Sequence, residues 1–330
     1  MFRPAPGLLL ASLFSVLAVP ASAQLIFESV GERALGMAGA FVAVADDATA
    51  AHWNPAGLAT GGPAGATVGW HRFQFGNQDS GPVPGASRRS TTFTSLGAWP
   101  LGISYGTFRH TRLVLTPGDP GAGDHLRAET LRVSHYGVTI LQTVLPGLVV
   151  GSTLKYLRGE AASGPAVGQN TGDALDEGSK LRGDRDGAFD LDVGVMASSD
   201  LIRVGVTLKN LRSPSFSEVA GNATTLPRQV RLGLAVLPVD GLTLAIDLDL
   251  NRVDLAGGLR RMSAFGGEAV LGQRLAIRSG VRWSLVGPRN PVGAVGLSVA
   301  VRPRLWLDGH FARGRLDEDQ EFGVAMRAGF

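Results

Sequence analysis

The feature that most constrains this chain is a period of two. Reading from the C-terminus, Phe322, Val324, Met326, Ala328 and Phe330 share one parity while Glu321, Gly323, Ala325, Arg327 and Gly329 share the other. The same alternation sets Leu305, Leu307 and Phe311 against Arg304, Asp308 and His310, and Leu275, Ile277, Val281, Trp283 and Leu285 against Arg274, Arg278 and Arg282. It recurs where Leu242, Leu244, Ile246, Leu248 and Leu250 oppose Asp247, Asp249 and Asn251. Successive side chains point to opposite faces in a strand, so each run carries one apolar and one charged face. The period does not say which face is outside.

Runs bounded by turn residues fall near 65–75, 88–99, 102–114, 126–143, 148–161, 187–198, 201–212, 227–237, 242–253, 260–270, 274–286, 292–301, 304–314 and 320–330. Their lengths suit the roughly nine to eleven residues of a tilted membrane strand. Long connections (76–87, 116–125, 162–186, 213–226) alternate with tight ones at 100–101, 146–147, 199–200, 238–241, 271–273 and 303. Short turns at one end and longer loops at the other are the habit of outer-membrane barrels. The expected fold is therefore all-β: a transmembrane antiparallel barrel of about fourteen strands, both termini at the short-turn, periplasmic end. Lipid-facing substitutions such as Ile246→Arg or Leu297→Arg should then be costly, and inward ones such as Asp247→Asn much less so. An interfacial aromatic girdle would rest on Trp70, Trp99, Tyr105, Tyr136, Tyr156, Trp283, Phe322 and Phe330. Near Thr92 and Leu131 the parity breaks, as a bulge or a shifted register would break it.

Three segments are expected. Residues 1–23 read as a secretory signal peptide: Arg3, an apolar run from Gly7 to Val19, Pro20, and Ala21-Ser22-Ala23 before a cleavage at Gln24. The run is too short to span a bilayer, and no cysteine follows it to carry a lipid. Residues 24–64 form a small N-terminal plug, and 65–330 the barrel. The absence of cysteine excludes disulfides and thiolate chemistry, and a net charge of +3 gives no reason to expect nucleic acid.

The plug centres on Gly31–Ala59, GERALGMAGAFVAVADDATAAHWNPAGLA, a stretch rich in Ala and Gly with no core of its own. Small residues let a backbone approach an enclosing wall. The apolar run Ala40–Ala45 reads as a strand, and DATAAHW as a short helix that Asp46 and Asp47 cap and Asn54-Pro55 stop. The segment resembles the N-terminal signature of the FadL-type outer-membrane barrels, and most closely their PorV/PorQ branch. The likeness is carried by Arg33, Ala34, Leu35, Gly36, Met37, Gly39, Ala40, Ala45, Asp46, Asp47, Ala48, Trp53, Asn54, Pro55, Ala56, Gly57 and Leu58. It implies a hatch that blocks a pore through which hydrophobic small molecules diffuse, or, for the PorV/PorQ branch, a component of type IX protein secretion that docks cargo or other outer-membrane proteins. The outer loops are shorter and more polar than those that collect fatty acids in the long FadL members.

The inward parity gathers Arg203, Lys209, Arg231, Arg274, Arg278, Arg282, Arg302, Arg304 and Arg327 with Asp190, Asp192, Asp247, Asp249, Asp308 and Glu321. These charges either pair across strands or hold the plug or a ligand headgroup. The acidic stretch 175–192 misses the EF-hand spacing and reads as a solvated loop, and the six histidines show no metal-ligand spacing. No nucleophile elbow, phosphate loop or dinucleotide fingerprint occurs, so neither an enzyme nor a cofactor is expected. The expected partners are outer-membrane lipid and lipopolysaccharide, and the barrel-assembly machinery through a C-terminal strand ending in Phe330.

Overall fold

The computed structural model describes residues 29–117, 124–216, 224–255, 258–287, 289–314 and 319–330. The expected signal peptide and residues 24–28 of the expected plug lie outside them. Fourteen antiparallel strands close into a barrel. They are β1 (Ala64–Phe75), β2 (Ser87–Ala98), β3 (Leu101–Thr116), β4 (His125–Leu145), β5 (Leu148–Pro165), β6 (Arg185–Ser198), β7 (Ile202–Lys209), β8 (Gln229–Val239), β9 (Leu242–Asp249), β10 (Met262–Leu271), β11 (Leu275–Ser284), β12 (Val292–Arg302), β13 (Leu305–Gly314) and β14 (Gln320–Gly329). Each strand pairs with its neighbours around the barrel, and β1 closes on β14 from Gly65↔Gly329 to Gln74↔Gln320, so the barrel itself has no edge.

Burial settles which face is out. Ile103, Val138, Leu154, Ile246, Leu297 and Val324 are exposed around the wall, while Lys155, Asp190, Arg231, Asp247, Arg278 and Glu321 are buried inside it. An apolar band that encircles the molecule needs an apolar solvent. Among the described residues no helix is long and apolar enough to cross a membrane; the strands supply the span.

The parity breaks are not bulges. Pairing runs without a shift from Ser87↔Arg112 to Ala98↔Leu101 and from Leu101↔Ile140 to Thr116↔His125. Strands β3, β4 and β5 are instead longer than a membrane strand needs, at 16, 21 and 18 residues. The outer face of their long-loop ends is covered by the 166–184 loop. That loop carries a helix, Thr171–Gly178, capped by the Asn170 side chain, which accepts from Asp173 N at 2.8 Å. Ala174 and Leu175 of this helix bury against Ala86, Leu113 and Ala128. Outward residues are therefore apolar or small there for packing rather than for lipid, and Arg88 turns outward to reach Asp176. The acidic stretch divides accordingly: Asp176 and Glu177 sit on the helix, whereas Asp190 and Asp192 are lumenal strand residues rather than loop ligands. Among the described residues no group of His, Cys, Asp and Glu is arranged to hold a metal.

Residues 29–63 run inside the barrel and differ from the strand-then-helix expectation. A helix forms at Glu32–Gly36, where no element is expected, and ends in a left-handed turn: Ala38 has φ 55° and Gly39 φ 87°, with Gly39 N donating to Ala34 O and Ala38 N to Leu35 O. Phe41–Ala45 is a turn, not a strand, because the Phe41 and Val42 amides bond to a barrel carboxylate and those of Val44 and Ala45 to Phe41 O. A second helix, shorter than DATAAHW, covers only Ala50–Trp53, and Pro55–Ala59 is a 3-10 turn.

Candidate functional site

The N-terminal segment is held in the lumen by three anchors. At the first, Arg33 donates from Nε and Nη2 to both oxygens of Glu268 in β10, at 2.8 and 2.7 Å, and from Nη1 to Asp47 at 3.2 Å and to Asp46. Glu268 also accepts from Arg278, and Asp46 from Arg203 at 3.2 Å. Asp46 is thus an ion-pair residue and not a helix cap. Asp47 accepts from Thr49 N at 2.9 Å, which orders the turn before the second helix. At the second anchor, Asp247 Oδ2 accepts from the backbone amides of Phe41 and Val42, both at 3.0 Å. Asp247 is thus more than an inward strand residue, since its carboxylate satisfies two buried amides of the N-terminal segment. At the third, the Asn54 side chain donates to Val42 O at 3.0 Å and Val195 O at 3.1 Å and accepts from Ala56 N at 3.2 Å. Trp53, fully buried, donates from Nε1 to Val30 O at 2.8 Å and meets Phe41 edge-on.

Between these anchors the segment lies on a belt of glycines that point inward from the strands. A Cβ at Gly151, Gly205, Gly233 or Gly280 would stand 2.5–2.8 Å from backbone of residues 37–56, one at Gly296 3.0 Å from Gly36 Cα, and those at Gly194 and Gly266 would collide with Asn54 and Met37 O. These glycines are a steric requirement for close approach. The segment's own glycines answer the same demand: Gly36 faces Gly296, and a Cβ at Gly57 would strike Ala45 O.

The lumenal charges pair mainly with one another. Arg231 Nε lies 2.6 Å from Asp249, Arg282 2.5 Å from Glu321, Arg327 3.1 Å from Asp308, and Lys155 bridges Asp190 at 3.0 Å and Asp192 at 2.6 Å. Arg274 and Arg304 are exposed in short turns and Arg302 is exposed at a strand end, so these three leave the lumenal set. Arg304 lines the mouth of a cavity of about 310 Å³ below the segment, with Asp46, Asp47, Leu58, Trp306, Arg327 and Phe330. Glu32 is buried beside Asp308, Glu321 and Asp47, and burial first, then these carboxylates, push it well above the usual carboxylate range.

Above the segment, toward the long loops, one side of the lumen is apolar. Leu131, Val133 and Leu157 point inward and bury against Phe216 and Leu226 of the loop between β7 and β8. Phe216 fills the space that Gly159 leaves. The strip continues through Phe93 and Phe108, which pack against the His52 ring with centroids 5.9 and 6.1 Å away, and so arrives at the N-terminal segment.

Residues 128–249, from β4 to the end of β9, match the family described as "F plasmid transfer operon, TraF, protein". No curated protein matches the chain. Solved structures align along nearly the whole length. The Ralstonia pickettii toluene transporter TbuX does so with a TM-score of 0.62 at 15% identity, over 92% of this chain and 99% of that one. The CymD monoaromatic hydrocarbon channel gives 0.62 at 14%, over 92% and 98%. A Pseudomonas aeruginosa FadL homologue gives 0.60 at 12%, over 94% and 99%. The fold is that of the FadL-type barrels. Within that fold, sequence reasoning misses Glu268, the anchor of Arg33, although it shares the inward parity of Ala264 and Gly266 opposite the outward Phe265. It also misses the glycine belt, whose signal is the recurrence of Gly at inward positions of successive strands.

Proposed function

We propose that this protein is an outer-membrane channel that admits small hydrophobic molecules, gated by residues 24–64 acting as a plug. The observation that carries the reading is the division of the lumen. Its lower half is filled by the N-terminal segment, sealed on the glycine belt and bound by buried ion pairs. Its upper half offers an apolar strip from Phe216 and Leu226 down to Phe93, Phe108 and His52. An apolar lining inside an otherwise charged lumen suits an apolar solute. The loops then face outside, the short turns and Phe330 face the periplasm, and the 310 Å³ cavity is the vestibule below the plug. TbuX and CymD are described as carrying toluene and monoaromatic hydrocarbons, which makes an aromatic hydrocarbon of that size the first probe.

The test is uptake of toluene into cells or liposomes bearing the protein. Val133→Asp should abolish it and Phe216→Ala should speed it; equal uptake by both variants and the parent would refute the apolar route. The PorV/PorQ likeness offers secretion as a second role, but the residues that carry it are almost all buried between plug and wall, where they seat the plug. Deletion of residues 24–64 separates the roles: conductance rises in either case, and only the secretion role predicts a loss of cargo export.

A further inference from the structure

We propose that the outer face of β3–β6, above the aromatic row, is a binding site for the phosphates of an outer-leaflet glycolipid of the lipid A class. The inference rests on the membrane placement given above and is independent of what passes through the lumen. Register aligns Tyr105, Tyr136, Tyr156 and Phe189 side by side across these strands, with successive ring centroids 5.2, 6.3 and 5.1 Å apart. All four are exposed, and an outward aromatic row marks a bilayer interface. Below it the outward row is Ile103, Val138 and Leu154, which acyl chains can cover.

Two residues above the aromatic row stands Arg158, and four above it Arg109, Arg132, Glu160 and Arg185 lie in register. At about 3.3 Å per residue and a tilt near 40°, these rows are roughly 5 and 10 Å above the rings along the membrane normal, which is headgroup height. Arg182 joins them from the covering loop. Glu160 is the shared counter-ion, 3.0 Å from Arg185, 3.7 Å from Arg182 and 3.9 Å from Arg132. Among the described residues on this face, even with Asp184 of the same turn, five arginines meet two carboxylates, and the buried Nε atoms of Arg109 and Arg132 have no hydrogen-bond partner. The protein thus holds guanidinium forks at the headgroup plane with too few anions of its own. Guanidinium forks match phosphate oxygens pairwise, and a glycolipid with phosphates at its headgroup and acyl chains below satisfies both rows at once.

The experiment uses the full mature protein in detergent micelles, with bisphosphorylated lipid A, dephosphorylated lipid A and phosphatidylglycerol as probes and retained lipid read by native mass spectrometry. The parent should hold bisphosphorylated lipid A in preference to the other two. The double variant R132Q/R185Q should weaken it on the order of thirtyfold, at about one decimal step or less per arginine, while Arg252→Gln on a distant loop should leave it unchanged. Heat-modifiable migration checks that each variant is a folded barrel; its absence from the parent would defeat the membrane placement itself. A folded barrel that retains dephosphorylated lipid A or phosphatidylglycerol equally, or whose double variant binds like the parent, overturns the glycolipid site alone.

Discussion

Arg33→Met tests how the plug is seated. Arg33 is 8% exposed, and its guanidinium makes two bonds to Glu268, at 2.8 and 2.7 Å, with further bonds to Asp47 and Asp46. Breaking a buried ion pair by removing one partner costs about 3–5 kcal/mol, because the remaining charge stays buried. Here each abandoned carboxylate keeps a partner: Glu268 retains Arg278, Asp46 retains Arg203, and Asp47 retains the Thr49 amide. The cost therefore falls at the low end, about 3 kcal/mol, which raises the unseated population on the order of a hundredfold. Single-channel conductance in planar bilayers, with limited proteolysis of residues 29–63, reads that population, and heat-modifiable migration shows that the barrel is intact. Arg203→Gln is the matched control. Among the described residues it pairs with Asp46 at 3.2 Å, at a partly open site, and a solvent-reached pair of this kind contributes about 0.2–1 kcal/mol. Arg33→Met with Glu268→Met should not restore closure, since Arg278 then loses its carboxylate while Asp46 and Asp47 still lack Arg33; restoration would show an isolated pair. Closed-state conductance and protease resistance equal to the parent in Arg33→Met would refute the anchoring argument.

Ile246→Arg, on the exposed face, should cost about 2–4 kcal/mol of barrel stability if it faces the bilayer midplane, whereas Asp247→Asn should leave the barrel's denaturant midpoint nearly unchanged and loosen the plug; equal loss of barrel stability at both would place the membrane face wrongly. Gly266→Val puts a side chain into Met37 O and should yield an open channel with a normally folded barrel, so a closed, wild-type conductance would remove the steric role of the belt. Glu32 gives the plug a pH dependence of definite sign: its seated pKa is raised, so the seated state binds more protons than the released one. Seating is then strongest below about pH 4.3 and weakens as pH rises through the raised value. Glu32→Gln should flatten the rise of open probability with pH, and a parent channel that opens on acidification would contradict the sign.

Strands were legible because a period of two survives in a single sequence wherever one face meets lipid and the other meets charge. It failed as a guide at Leu113 and Ala128, where a loop replaces lipid on the outer face and removes the reason for alternation. The site was legible only in part. The motif of Arg33, Trp53, Asn54 and Pro55 shows itself as a dense cluster of unusual residues in a small-residue background. Its partners do not, because Glu268 stands 235 residues away from Arg33 and nothing local distinguishes it from any other inward carboxylate. The belt is harder still. Gly205 or Gly233 in isolation reads as a weak strand residue, and becomes meaningful only when the barrel brings both to the backbone of residues 42 and 43.

The distribution of anchors bears on how such a plug opens under the proposed function. Arg33 and the first helix are bound to β10–β13 by an ion network and by the Gly36–Gly296 approach, and Asp247 fixes the turn that follows. The second helix has four residues and no side-chain cap, and its ties to the wall include His52 to Lys209 at 2.9 Å and Thr153 Oγ1 donating to Ala51 O at 3.4 Å. The apolar strip reaches the plug at that helix, through the packing of Phe93 and Phe108 on His52. A hydrophobic solute descending the strip thus meets the plug where aromatic packing holds it, and can replace that packing with its own apolar surface. Displacing the first helix would instead break the buried pairs of Arg33 with Glu268, Asp47 and Asp46, which an apolar solute cannot offset. On these energetics passage proceeds by local displacement around His52 while Asn54 and the ion-paired half of the plug stay seated, which keeps the opening narrow and closes the lumen to ions.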